Sequence, residues 1–166
     1  MKNLYKLLAL TALVLGCSAL DTASASAQTV CYRAHSQGVG WQGVVCDGQI
    51  GGRVGEDRRL EAIQIFNPSV GGEICYNVHL QGIGWQGPKC GGEVAGTTGQ
   101  GRRIEAITVW YNNPPPGAEL QFRAHLAYSG WEGIRHSGGM GGAEGLNRRI
   151  EALEVNVSRG QDVYWQ

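Results

Sequence analysis

Three histidines, three tryptophans and three Arg-Arg-x-Glu clusters recur in one fixed order along this chain, and they are the side chains that could do chemistry. His35, Trp41, Arg58, Arg59 and Glu61 return 44 residues later as His79, Trp85, Arg102, Arg103 and Glu105. A further 46 residues on they return as His125, Trp131, Arg148, Arg149 and Glu151. Each tryptophan is followed by a polar side chain, Gln42, Gln86 or Glu132, and sits between glycines, as in Gly40-Trp41-Gln42-Gly43. An indole with open glycine on either side can stack on a sugar face. The neighbouring amide or carboxyl then hydrogen-bonds hydroxyls, and the histidine completes the site. In the structural alternative the tryptophan closes over the core and the glutamine satisfies turn amides. Both readings stand on these residues.

Other chemistries fit less well. Cleaving a glycosidic bond needs two carboxylates in different environments. Glu132 is the one carboxylate peculiar to its repeat position beside a tryptophan, and it has no evident partner. No Ser-His-Asp or Cys-His arrangement stands out, so no catalytic residue is assigned and the chain reads as a non-enzyme. Three neutral imidazoles could converge on a metal, but strand parity turns them outward, and no metal or other cofactor is assigned. A phosphate cradle in the glycine-rich links would need a following helix, and a strand follows.

The elements that carry these residues alternate. In the opening strands Tyr32 and Ala34, then Tyr76, Val78 and Leu80, then Phe122, Ala124 and Leu126 form an apolar face. His35, His79 and His125 take the other face. The closing strands place Ile63 and Ile65, Ile107 and Val109, and Leu153, Val155 and Val157 inward. By the same parity Glu61, Glu105 and Glu151 point to the core edge, where a carboxylate needs a partner. The arginine pairs supply it, as bidentate clamps expected to link neighbouring repeats. A middle strand is expected over Trp41-Gln42-Gly43-Val44-Val45. Glycines 48, 52 and 55 recur at 92, 96 and 99 and at 138, 142 and 145, which predicts positive φ or close backbone approach there.

Cysteines sharpen the repeat. Cys31 and Cys46 occupy the same repeat positions as Cys75 and Cys90, and in the third copy both are replaced, by Gln121 and His136. Joint loss is what pairing within a repeat produces, so Cys31–Cys46 and Cys75–Cys90 are the expected disulfides. Each closes a loop of about 15 residues, worth about 3 kcal/mol in the chain-entropy account. Zinc thiolate ligation is the weaker reading, since no CxxC spacing occurs.

The first 27 residues read as an export signal: Lys2 and Lys6, the apolar stretch Leu7 to Leu15, and the small-residue site Ala25-Ser26-Ala27. The apolar stretch is too short to span a membrane. Val14-Leu15-Gly16-Cys17 resembles a lipobox, which would make Cys17 a lipid-bearing N-terminus, whereas the Ala-Ser-Ala site favours free secretion. Of 14 basic and 14 acidic residues, Lys2, Lys6 and Asp21 lie in this leader, so 12 basic and 13 acidic residues remain. That balance leaves no basic footprint for nucleic acid or an anionic membrane surface. Residues 28–166 suit a single domain of three repeats, about 30–66, 74–110 and 120–157. Residues after Arg159, with Tyr164 and Trp165, are expected to add a last strand or pack across the base.

The second copy, HLQGIGWQG followed by AGTTGQGRRIEAITV, resembles the clostridial hydrophobic repeat with its signature tryptophan, the ChW repeat. Copies one and three are similar at the His, Gly-Trp and Arg-x-Glu-Ala positions, and the likeness runs from about Val30 to Val157. The resemblance implies an extracellular, often cell-surface bacterial protein that attaches to polysaccharide, a host surface or a protein partner. The cysteine pairs, Glu132, and GGRVGED in place of AGTTGQG depart from the usual pattern.

Three units that cannot each bury their own face most simply close around a pseudo-threefold axis, which removes exposed sheet edges. The expected fold is therefore all-β, a β-prism of three small sheets, with a β-trefoil as the alternative. The expected function is a secreted or surface-attached bacterial binding module, recognising carbohydrate or cell-wall polysaccharide through Trp41, Gln42 and His35, Trp85, Gln86 and His79, and Trp131, Glu132 and His125. A non-catalytic protein-binding or adhesive module is the alternative.

Overall fold

The computed structural model describes residues 30–67 and 71–159, so the leader, Cys17, Tyr164 and Trp165 lie outside the described residues. The first repeat contributes β1 (Cys31–Ser36), β2 (Gly40–Trp41), β3 (Val45–Cys46), β4 (Gly51–Gly52) and β5 (Leu60–Phe66). The second contributes β6 (Glu73–Leu80), β7 (Gly84–Trp85), β8 (Lys89–Cys90), β9 (Ala95–Gly96) and β10 (Ile104–Asn112). The third contributes β11 (Ala118–Leu126), β12 (Gly130–Trp131), β13 (Arg135–His136), β14 (Met140–Gly142) and β15 (Ile150–Arg159). Among the described residues every element is a strand, and the pairing is antiparallel throughout. The expected middle strand is two short ones, β2 and β3, because Gln42 to Val44 leave the ladder between them.

The strands form three separate five-stranded sheets, not a closed barrel. Each repeat pairs its long opening and closing strands and gives one short strand away. β4 of the first repeat lies on β15 of the third, β9 of the second on β5 of the first, and β14 of the third on β10 of the second. The exchange is cyclic, so every repeat both donates and receives. It replaces the Arg–Glu clamp expected between repeats: main-chain hydrogen bonds hold the seams. Thr97 N donates to Glu61 O at 2.9 Å, Ala143 N to Glu105 O at 3.0 Å and Arg53 N to Glu151 O at 3.0 Å.

Glycine makes that close approach possible. A Cβ on Gly52, Gly96 or Gly142 would fall 2.4, 2.3 or 2.3 Å from the carbonyl oxygen of Glu151, Glu61 or Glu105. All nine recurring link glycines, from Gly48 to Gly145, have positive φ.

The alternating faces fall where expected, with β1 burying Tyr32, Ala34 and Ser36 and exposing the intervening residues in part. One contiguous core draws on all three sheets. At its centre Leu60, Ile104 and Ile150 meet Ile63, Ile107 and Leu153, two sets of equivalent side chains with no room for water between them. Each such side chain, fully buried, contributes about 1.5–3 kcal/mol.

Two of the seams carry a buried phenol as well. Tyr32 and Tyr76 are fully buried. Tyr76 Oη accepts from Ile65 N at 3.0 Å and donates to Glu93 O, tying the second repeat to the first. Tyr32 Oη accepts from Val155 N at 3.0 Å and donates to Gln49 O, tying the first repeat to the third. Burial pushes the Tyr76 phenol up to about 12 and raises that of Tyr32 further. Phe122 stands at the third position and has no hydroxyl to offer.

The disulfides Cys31–Cys46 and Cys75–Cys90 join directly opposed residues of β1 and β3 and of β6 and β8. Gln121 and His136 face each other at the matching place in the third sheet.

Candidate functional site

A one-residue bulge in each closing strand sets up the polar site. His35 lies opposite Ala62 and Ser36 opposite Leu60, so Glu61 is the extra residue. Glu105 and Glu151 are extra in the same way. A bulge breaks the two-residue alternation. Leu60 therefore joins the core despite its parity, and the glutamate turns to the face that carries histidine. The parity expectation for Glu61, Glu105 and Glu151 thus fails for a local reason, although each is only 4–5% exposed.

The carboxylate then meets two partners from its own repeat. Glu61 Oε1 accepts from Arg59 Nε at 3.0 Å, with Nη2 at 2.8 Å, and Oε2 lies 3.3 Å from His35 Nδ1. Glu105 is placed identically against Arg103 (3.0 and 2.7 Å) and His79 (3.3 Å). Glu151 repeats it with Arg149 (3.0 and 2.8 Å) and His125 (3.2 Å). The expected clamp between repeats thus closes within each repeat, onto one carboxylate oxygen, from the arginine two residues earlier, just before the strand. The preceding arginines do something else: Arg58 Nη1 and Arg102 Nη1 donate to the carbonyls of Gln37 and Gln81, and Arg148 Nη1 donates to Ser129 Oγ. Arg58 also pairs with Glu56 at 3.2 Å.

Each histidine presents its ring edge-on to the tryptophan opposite it in the ladder. Centroids of His35–Trp41, His79–Trp85 and His125–Trp131 lie 5.5, 5.6 and 5.2 Å apart, with interplanar angles of 81, 78 and 80°. The tryptophans are half-buried and outside the core cluster. Arg33 and Arg123 lay their guanidiniums 4.8 Å from the centroids of Trp41 and Trp131. Those arginines are held in turn by Gln64 at 2.7 Å and Glu154 at 2.5 Å. At the second repeat Asn77 occupies that position, so no cation reaches Trp85 from it. Trp85 Nε1 instead donates to Glu144 Oε1, from the third repeat, at 2.9 Å.

The polar residues next to the tryptophans turn back to the protein. Gln86 Oε1 accepts from Gly96 N and Glu132 Oε2 from Gly142 N, both at 2.7 Å, while Gln42 Nε2 donates to Ser36 Oγ at 2.6 Å. The site therefore unites histidine, tryptophan, glutamate and the second arginine of each repeat, turns Gln86 and Glu132 to the donated strands at the seams, and turns Gln42 back to Ser36 of its own repeat. His35, His79 and His125 lie in three different sheets, each engaged by its own glutamate and indole. Glu73, Cys75 and Cys90 group closely enough to suggest ligation, but both sulfurs are committed to a disulfide.

Sequence reasoning missed the roles of Arg33, Arg123 and Glu144. Arg33 and Arg123 were findable: two residues before the histidine on the same strand face, they are bound to neighbour the indole that faces it. Glu144 reaches Trp85 only through strand exchange.

No curated protein and no solved structure matches this chain. The third repeat keeps the same sheet topology and the same His–Glu–Arg and His–Trp geometry as the first two. Residues 35–65 and 79–113, in the first two repeats, match the family model described as Clostridial hydrophobic W, the ChW repeat.

Proposed function

We propose that the three sheets stand as the sides of a β-prism and that the protein is a secreted, non-catalytic module that binds carbohydrate or cell-wall polysaccharide on its tryptophans. The observation that carries this reading is the posture of Trp85. Its ring meets that of His79 at 78°, with His79 Nδ1 lying 3.3 Å from Glu105 Oε2, and its flanks are Gly84 and Gly87 beyond Gln86. A pre-oriented, half-exposed indole beside glycine suits stacking on a sugar ring, since little side-chain freedom is lost on binding. Trp41 and Trp131 are graded second, because a guanidinium already covers part of each ring. The two disulfides fit an extracellular protein. Among the described residues no helix is long and apolar enough to cross a membrane.

The test is Trp85→Ala on a glycan array, with thermal unfolding in parallel. Loss of binding with a melting temperature near that of the parent supports the reading; unchanged binding, or no glycan bound by the parent, refutes it. An adhesive protein-binding module is the alternative, favoured by the exposed Val44, Ile50, Ile83 and Leu146 on the loops. A one-to-one stoichiometry with a protein partner in calorimetry distinguishes it.

A further inference from the structure

Where the three repeats meet at the Arg-Arg end, equivalent residues line a pocket of about 150 Å³: Gln37 and Gln81 with Arg59, Arg103 and Arg149, and Tyr128 at its rim. The three guanidiniums bind their own glutamates through Nε and Nη2. In two of the three repeats the second arginine also bonds the residue that precedes the next Arg-Arg pair around the ring. Arg149 Nη2 donates to Asp57 Oδ1 at 2.8 Å, and Arg103 Nη2 to Asn147 Oδ1 at 3.0 Å. At the remaining seam the equivalent residue is Gly101, whose Cβ position would lie 3.5 Å from Arg59 Nη2. Among the described residues, two seams thus carry an acceptor oxygen at this place and the third carries glycine. All three positions share a left-handed backbone, with φ of 54, 53 and 65° at Asp57, Asn147 and Gly101.

Tyr128 marks the same pocket as unlike its surroundings. It replaces the glycines at 38 and 82, holds φ at +67°, and is 92% exposed. A bulky residue in this backbone region is an outlier. Its ring lies 5.5 Å from the Arg149 guanidinium.

We propose that this pocket binds one acidic sugar residue. The sugar's carboxylate takes the acceptor place on Arg59 that Asp57 and Asn147 fill at the other seams, its hydroxyls meet Gln37 and Gln81, and its ring stacks on Tyr128. Charge-assisted bonds to arginine select the acid group, and the aromatic face selects the ring. Because only one seam lacks an acceptor and only one repeat carries the tyrosine, there is one such site per chain. It is separate from the tryptophans.

The experiment is calorimetric titration with a galacturonate trisaccharide, alongside the neutral galactose trisaccharide and sodium sulfate. The expected result is one-to-one uptake of the acidic sugar, with both controls at least about tenfold weaker. Gly101→Asp places at the open seam the side chain seen at Asp57, which adopts a similar left-handed backbone; the new ion pair with Arg59 offsets the strain of a Cβ there, and the variant is expected to abolish uptake with a melting temperature near that of the parent. Tyr128→Gly is expected to weaken uptake about tenfold while the fold is retained. No uptake of galacturonate, equal uptake of either control, or parental affinity in Gly101→Asp would overturn the proposal. Neutral glycans captured by the tryptophans would survive Gly101→Asp, so the two readings fail independently.

Discussion

Gly96 of the second repeat rests on the backbone of Glu61 in the first, so closely that a Cβ would stand 2.3 Å from the Glu61 carbonyl oxygen. The same oxygen receives the amide of Thr97 at 2.9 Å, and the strand that makes this contact is the one donated across the seam. The ring of three repeats is therefore closed by backbone, with glycine as the condition for contact.

Gly96→Ala is expected to destabilise the protein by about 3 kcal/mol or more, since the clash is with main chain and φ is +105°. Gly99→Ala, with φ +73° but open space around its Cβ, is expected to cost only about 1–2 kcal/mol. Urea denaturation of both variants measures the difference, and equal costs would contradict the seam argument.

Tyr76→Phe leaves the amide of Ile65 and the carbonyl of Glu93 without their partner, at an expected cost of about 1–3 kcal/mol. The phenol's value is raised from 10.0 to about 12, so its contribution is fully present below pH 10 and is lost as pH rises from about 10 towards 12. Alkaline unfolding curves should show this loss in the parent and less of it in the variant.

Glu105→Ala removes the carboxylate that accepts from Arg103 and lies 3.3 Å from His79 Nδ1, and about 2 kcal/mol is the expected cost in stability. Freed from the edge-on contact, Trp85 should shift and broaden in fluorescence. Arg102→Ala, which removes the donor to the Gln81 carbonyl, should leave that emission unchanged.

Reduction of the two disulfides should lower stability by about 3 kcal/mol for each loop of 15 residues. The third repeat makes the opposed pair Gln121 and His136 without a covalent link. Hydrogen exchange after reduction should therefore rise first in β3 and β8 and leave β13 unchanged.

What the amino-acid order determined by itself is what repetition and local geometry can express. The period placed equivalent residues in equivalent strands. The joint absence of cysteine in the third copy picked out Cys31–Cys46 and Cys75–Cys90, and recurring glycines marked the positive-φ positions. Alternation alone separated Tyr32 and Ala34 from Arg33 and His35, because side chains on a strand change face at every residue. Only the tertiary structure decided the rest. The bulge at Glu61 depends on which residue of β1 lies opposite, and one extra residue reverses the parity that sequence reading relies on. The partner of β4 is β15, with Gly51 opposite Leu153, 102 residues further along the chain, a pairing that exists only once three copies have closed on each other. The same closure sets Gly101 before Arg59 and Asp57 before Arg149, so the one unfilled seam is a property of the ring and not of any single repeat.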